Sequence, residues 1–257
     1  MLGDWVDPDG AVYSQYTPRS SDFMPHAFRS FRRESGLSDW LEVIAQTQIA
    51  LAQVQATYSP ATGLVPDFLE LVSPEDPSLR PASPGFLEGP NDGFYYYNSL
   101  RVPLWLGIDA LFVGDPVSGS QLRKISTWAF SAFGGDPGAI GAGFELDGTP
   151  LPGSNYFTTA FAAPFGVAAM IEPGQQQWLD DLYDAVRLSD ESYYEDSITL
   201  LCLLVMTGNY WSPAALPGRA PGAVPTLSAA GVLLLAVALA IPGARVLSFT
   251  ALMNNPG

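Results

Sequence analysis

The side chains that most often carry nucleophilic, acid–base or metal-ligand chemistry are scarce in this chain. His26 is its single histidine and Cys202 its single cysteine. A metal site or an activated nucleophile usually needs a second such residue nearby, and Cys202 lies in an apolar run, where a thiol is typically a small buried hydrophobic group. We therefore expect no metal, no cofactor and no histidine-dependent mechanism. Carboxylates are the remaining candidates for proton transfer.

A long polar segment carries several of these carboxylates. Residues 59–91 are rich in proline, and within and just beyond them the stretch 73–93 is too long for an ordinary connector between elements. It contains Glu88 and Asp92. Because long loops of this kind often form binding and catalytic sites, we interpret it as a site-forming excursion.

The hydrophobic pattern shows what must position that loop. Apolar residues recur at spacings of three and four, which predicts about seven helices and no strand. The ordered part is thus predicted to be all-α, an antiparallel array of helix pairs. The helical segments are residues 23–31, 40–54, 98–113, 118–133, 156–171, 175–186 and 191–206.

The composition changes after residue 211. Residues 212–223 are rich in Pro, Gly and Ala, as in a linker, and residues 224–257 contain a continuous apolar run. The run is at the lower edge of the length that spans a membrane, and a buried C-terminal helix is the alternative. We favour membrane insertion, with residues 1–211 forming the folded domain. No export signal is recognised at the N-terminus, and we expect the ancestral domain to begin before Met1.

The charge balance limits the partners. Eleven basic and 26 acidic residues give a formal net charge of −15, which repels phosphate backbones and other polyanions. We expect no binding to nucleic acid. A neutral glycan is indifferent to this field, and a cationic one such as chitosan is attracted by it.

Four short motifs stand in order along the chain. They are Ser21-Asp22-Phe23-Met24-Pro25, Gly63-Leu64-Val65-Pro66-Asp67-Phe68, residues 92–105 and Tyr193-Tyr194-Glu195-Asp196-Ser197. Together they resemble glycoside hydrolase family 8, over about residues 1–211. The resemblance implies an (α/α)6 barrel that hydrolyses β-1,4-linked glucan, xylan or chitosan with inversion. About seven of the twelve barrel helices are recognisable, followed by a C-terminal hydrophobic helix.

The resemblance also implies a set of catalytic residues. Asn98 stands where the family usually has its base aspartate, and its amide orients water but does not accept the proton. A subgroup with asparagine here uses a glutamate from a loop, so Glu88 is our first candidate for the base and Asp92 the second. For Glu88 the alternative is a solvated loop charge. The family's general acid, a glutamate, and a second aspartate belong to upstream helices that we do not find.

Candidate substrate-binding residues follow from the same positions. Aromatic faces stack on sugar rings and guanidinium groups bond to hydroxyls. The tyrosines of residues 95–97 are equally well explained as barrel core. Asp67 follows a proline and is also predicted to cap a helix, and Asp109 is predicted to pair with Arg101. The candidates are Tyr97, Arg101, Tyr193, Tyr194, Trp5 and Asp67.

The tail resembles a bacterial C-terminal sorting signal that begins Val224-Pro225-Thr226-Leu227-Ser228. This resemblance implies a protein of the cell envelope, held by a membrane segment and handled by a sorting or processing machinery. Two other functions remain open: a carbohydrate-binding remnant without turnover, and a helical envelope protein with no role in sugar chemistry.

Overall fold

The computed structural model of the chain describes residues 17–73, 76 and 78–212. Trp5, residues 213–223 of the predicted linker and the predicted tail 224–257 lie outside these residues. The domain boundaries therefore stay predictions.

The described residues contain seven α-helices, in agreement with the hydrophobic pattern. Proline in the first turn starts α1, and Gly36, in the left-handed conformation at φ 71°, ends it. Asp115 caps α4 by accepting a hydrogen bond from the Ser118 N–H. The helices are α1 (Pro25–Ser35), α2 (Asp39–Thr57), α3 (Val102–Ile108), α4 (Pro116–Phe133), α5 (Thr159–Ala169), α6 (Gln176–Val186) and α7 (Tyr193–Met206).

The segment predicted as one helix over residues 98–113 is divided into three parts. A 3-10 turn, Ser99–Arg101, precedes α3, and a π-helical turn, Asp109–Val113, follows it. Pro103 in the first turn of α3 has no N–H to donate, which suits a helix start rather than an interior position. Gly114, at φ 81°, ends the segment, and the N–H groups of Gly114 and Asp115 both donate to the Asp109 carbonyl.

A short hairpin interrupts the helices, and the prediction of no strand is wrong at this point. Strands β1 (Leu69–Leu71) and β2 (Leu79–Pro81) are antiparallel, with Glu70 opposite Arg80. Three residues are too few to show the alternation that identifies a strand in a sequence. The hairpin lies within the polar segment and precedes the loop that carries Glu88.

The helices form two layers around α5. Helices α1, α3, α5 and α7 contact one another in that order, and α2, α4 and α6 pack behind them. Every residue of α5 is buried. Glycines allow close approach here, because a Cβ at Gly107 of α3 would overlap Val167 of α5. No helix of the described residues is at once long and apolar enough to cross a bilayer.

Candidate active site

Asn98 lies at the start of the inner helix α3 and is held in one orientation by its neighbours. Its Nδ2 donates to Glu88 Oε2 at 2.9 Å. Its Oδ1 accepts from Arg101 Nη2 at 2.8 Å and from Arg19 Nη1 at 3.5 Å. Two cationic donors on one side and a carboxylate on the other leave the amide a single favourable rotation.

Glu88 reaches this amide from the long loop. Its side chain is 50% exposed, and its second oxygen lies 4.0 Å from Arg19 Nη1. The loop therefore brings together Glu88 and Asn98, the two residues that the family resemblance relates to the base. A carboxylate so placed is open to solvent and still tied to a fixed donor, which is the arrangement that proton abstraction from water needs.

Asp92 lies beside them but turns its carboxylate toward its own loop. The side chain is 3% exposed, and it accepts the N–H groups of Leu87, Glu88 and Gly89 at 2.7, 3.1 and 2.9 Å. Both of its oxygens are thus engaged by backbone. Glu88 is the loop carboxylate that is bonded to Asn98.

Asp67 holds the start of the 3-10 turn Ser99–Arg101, which precedes α3. Its buried carboxylate accepts the N–H groups of Tyr96, Asn98 and Ser99 and the Ser99 hydroxyl. Burial raises the pKa of Asp67 to about 6, and the donors from Ser99, Asn98 and Tyr96 act in the opposite direction. Asp67 is 3% exposed, so in this structure it fixes the backbone of Asn98.

Arg101 belongs to the same network. Its Nη2 donates to Ser21 Oγ at 2.8 Å as well as to Asn98, and its Nε donates to the Asn98 carbonyl at 3.2 Å.

The predicted pair of Arg101 with Asp109 is wrong. Asp109 is fully buried, and Arg29 Nε donates to its carboxylate at 2.8 Å. Arg101 and Asp109 are eight residues apart, whereas side chains on a helix meet at separations of three or four residues.

The tyrosines divide between the core and the surface. Tyr95 is fully buried and stacks on Phe165. Tyr97 is partly exposed, its hydroxyl is 3.0 Å from that of Tyr156, and its carbonyl accepts the Tyr194 hydroxyl. Burial raises the pKa of Tyr97, so its hydroxyl remains a hydrogen-bond donor. Tyr193, at 90% exposed, stands in solvent at the start of α7.

No family model matches the chain. It is 39% identical over 212 residues to a β-glucanase of Niallia circulans, a match of 82% of this chain and 50% of that protein. It is 35% identical over 213 residues to an endoglucanase of Bacillus sp. strain KSM-330, covering 82% of this chain and 43% of that protein. The chain is similar to bacterial β-glucanases.

Solved structures agree with this. The apo β-1,3-1,4-glucanase of Paenibacillus sp. X4 superposes with a TM-score of 0.74 at 37% identity, over 79% of this chain and 52% of that one. A GH8 xylanase mutant of Teredinibacter turnerae with bound xylohexaose gives 0.61 at 19% identity, over 77% and 48%, and shows the fold alone. The fold is part of an (α/α)6 barrel, and the chain spans about half the length of its relatives.

Three residues that contact the predicted site residues were not themselves predicted as site residues. Arg19 comes just before the Ser21 motif, and its backbone bridge to Phe68 brings it to the site. Ser21 holds Arg101, and Tyr156, 48% exposed, was assigned to a helix that in fact begins at Thr159. The position of Arg19, just before a motif that matches the family, is the sequence signal that could have identified it as a site residue. Nothing in the sequence pairs Tyr156 with Tyr97.

His26 lies outside the carboxylate network. It is 7% exposed and stacks on Trp105, with ring centroids 5.6 Å apart. Burial lowers the pKa of His26 to about 4, so the imidazole is neutral at physiological pH. Within residues 17–73, 76 and 78–212, no three His, Cys, Asp or Glu side chains are grouped to hold a metal ion.

Proposed function

We propose that this chain acts in the hydrolysis of β-1,4-linked glucan, including mixed-linkage β-glucan, by an inverting acid–base mechanism. The observation that carries the proposal is the bond between Glu88 and the fixed amide of Asn98. The similarity to a β-glucanase and an endoglucanase supports the substrate class.

In this mechanism Glu88 is the base. It takes a proton from a water molecule as the water oxygen attacks the anomeric carbon and the bond to the leaving oxygen breaks. Asn98 fixes the carboxylate, and Arg19 and Arg101 fix Asn98. The leaving oxygen takes its proton from a second carboxylic acid, roughly 6.5–9.5 Å from the base in inverting enzymes. That this acid is the family's glutamate, expected on upstream helices, stays a prediction.

The tyrosine surface is proposed to bind the sugar. Tyr97 and Tyr156, joined through their hydroxyls, offer ring faces at the cleft, and Tyr194 holds the backbone of Tyr97. Aromatic faces of this kind stack on pyranose rings. The net charge of −15 leaves a neutral glucan unaffected and repels anionic polymers.

One observation favours a second candidate, a carbohydrate-binding protein without turnover. Asn98 cannot accept a proton from water, and both Asp67 and Asp92 are engaged by backbone N–H groups. Chemistry at this position therefore depends on Glu88. A chain that lacks an acid partner for it would still present the aromatic cleft.

Reducing-sugar release and affinity electrophoresis on the same glycans separate the possibilities. If a glutamate supplies the acid, we expect the chain to release reducing ends from mixed-linkage β-glucan, and more slowly from carboxymethylcellulose, whose negative charge it repels; chitosan is the cationic comparison. Without that acid we expect no turnover. Release of reducing ends supports hydrolysis. Retardation in the gel without release supports the binding protein, and neither effect leaves a helical protein with no role in sugar chemistry.

We also propose that residues 224–257 direct the protein to the cell envelope. The support is the apolar run and its resemblance to a sorting signal. Cell fractionation tests this: the full chain is expected with membranes and a chain lacking residues 224–257 in the soluble fraction. Equal distribution of the two chains contradicts it.

A further inference from the structure

The loop that carries Glu88 is closed on itself by one buried carboxylate. Asp92 Oδ2 accepts the N–H groups of Leu87 and Glu88, and Oδ1 accepts that of Gly89. Three consecutive backbone donors thus converge on a single side chain. Bonds from N–H groups to a carboxylate are shorter and stronger than bonds to a neutral acceptor.

Two further backbone hydrogen bonds stabilise residues 83–89 of this loop. The Gly85 N–H donates to the Gly89 carbonyl at 2.8 Å, and the Phe86 N–H donates to the Ser83 carbonyl at 3.1 Å. The residue that bears the catalytic candidate, Glu88, and its predecessor Leu87 donate their N–H groups to Asp92. The orientation of Glu88 therefore depends on the Asp92 carboxylate.

Asp92 is in turn fixed to the scaffold. Its carbonyl accepts the Phe68 N–H at 2.9 Å, next to β1. The following residue, Gly93, lies so close to the Ala82 carbonyl, just after β2, that a side chain would overlap it. The path from Glu88 through Asp92 to the hairpin is continuous, and the hairpin positions the loop.

We propose that Asp92 is a positioning residue: it holds the backbone of residues 87–89 so that the Glu88 carboxylate faces the Asn98 amide. Asp92 does not itself move a proton. The catalytic consequence rests on the proposed role of Glu88 as base, whereas the structural consequence is measurable without turnover.

The structural arm uses NMR on the full chain with Asp92→Asn. The amide nitrogen of asparagine is a donor, so one backbone N–H loses its acceptor whichever way the side chain turns. We expect amide exchange of Leu87, Glu88 and Gly89 to quicken at least about tenfold. The Asn98 side-chain amide resonance is expected to move toward its position in Glu88→Ala. Unchanged exchange or an unmoved Asn98 resonance would overturn the proposal.

Asp147→Asn is the matched control. Asp147 also accepts a backbone N–H, that of Thr149 at 2.8 Å, in an exposed turn. This variant should leave both the exchange of residues 87–89 and the Asn98 resonance as they are in the wild type.

The kinetic arm follows turnover on mixed-linkage β-glucan. Asp92→Asn is expected to lower kcat at least about tenfold with KM within about a factor of two, because the base is displaced and the sugar-binding tyrosines are not. A loosened loop with unchanged kcat would overturn the proposal. If the wild-type chain releases no sugar, the proposed hydrolysis fails, and the NMR arm alone decides the role of Asp92.

A second variant covers the case in which Asp92→Asn does not fold. Gly89→Pro removes one donor to the same carboxylate and leaves the buried aspartate in place. Gly89→Ala keeps the donor, and its Cβ meets no atom within 4 Å. Faster exchange at Leu87 and Glu88 in the proline variant, but not in the alanine variant, supports the proposal; equal exchange in both contradicts it.

Discussion

Asn98 shows how single residues define this site. It replaces the carboxylate that the family resemblance leads one to expect, and it compensates by donating to Glu88 while its oxygen accepts from Arg101 and Arg19. In the proposed mechanism, proton abstraction and orientation are divided between two side chains. An amide suits this position because it stays neutral beside the Glu88 carboxylate and donates a hydrogen bond to it.

Asn98→Asp tests that division. It places a second carboxylate where Nδ2 now lies 2.9 Å from Glu88, and two carboxylates so close share one proton. We expect the acid limb of the kcat/KM profile on β-glucan to rise by at least about one pH unit. Asn209→Asp, at an exposed position, is the control. An unmoved acid limb would show that residues 88 and 98 do not interact during turnover.

Asp67 makes a prediction about stability. Its folded-state pKa of about 6 exceeds the ordinary value of 3.8, so the folded chain binds more protons than the unfolded chain between these values. Its contribution to the free energy of unfolding therefore falls as pH rises through that window, by about 3 kcal/mol in total. The free energy of urea unfolding, measured from pH 3.5 to 7, should show this fall in the wild type and in the control variant Asp181→Asn. The fall should be absent in Asp67→Asn. The same pH dependence in all three proteins would contradict the prediction.

Sequence reasoning found part of this site. Asn98 and Arg101 were named from a motif and Glu88 from the long loop before it, and the structure brings Asn98 into contact with both. The partners of Asp67 and Asp92 are backbone N–H groups, which carry no residue signature, so their contacts could not be read from residue types. Asp67 and Asn98 are 31 positions apart, and the sequence did not indicate which turn Asp67 would hold.

At the scale of elements, periodicity identified the helices well and their interruptions poorly. The predicted segment 175–186 is observed as Gln176–Val186, whereas 98–113 contains a 3-10 turn, α3 and a π-helical turn. These three pieces have only three, seven and five residues, too few for the apolar spacing to distinguish one helix type from another. The hairpin was missed because its strands have three residues each.

Helix packing gives a prediction at this scale. A Cβ at Gly107 of α3 overlaps Val167 on the central helix α5, so Gly107→Ala is expected to lower the free energy of unfolding by about 1–3 kcal/mol. Gly119→Ala in α4 is the control: its Cβ meets Ala110 Cβ at an ordinary 3.7 Å, and it should stabilise the chain by about 0.4–1 kcal/mol. Urea unfolding measures both. Equal effects of the two substitutions would contradict the close approach of α3 and α5.

Across the described residues, two layers of helices support a hairpin and a loop, and Glu88 of the loop contacts Asn98 just before the 3-10 turn that leads into α3. The half of the relatives' length that this chain spans includes the base candidate and the tyrosines proposed to bind sugar. Its acidic charge attracts cationic glycans, repels anionic ones and leaves neutral ones unaffected. Hydrophobic spacing and ordered motifs were enough to predict an all-α, barrel-like fold, because both features recur over most of residues 1–211.

Turnover of mixed-linkage β-glucan by Glu88→Gln, set beside wild type and Glu70→Gln, tests the central claim most directly. Glu70 is the matched control, since its carboxylate bonds Arg80 and Ser83 at the hairpin. Removal of a general base costs about 10²–10⁴ in rate, so we predict at least a hundredfold loss of kcat, with retardation of the variant by glucan unchanged. Equal rates for Glu88→Gln and the wild type would contradict the account.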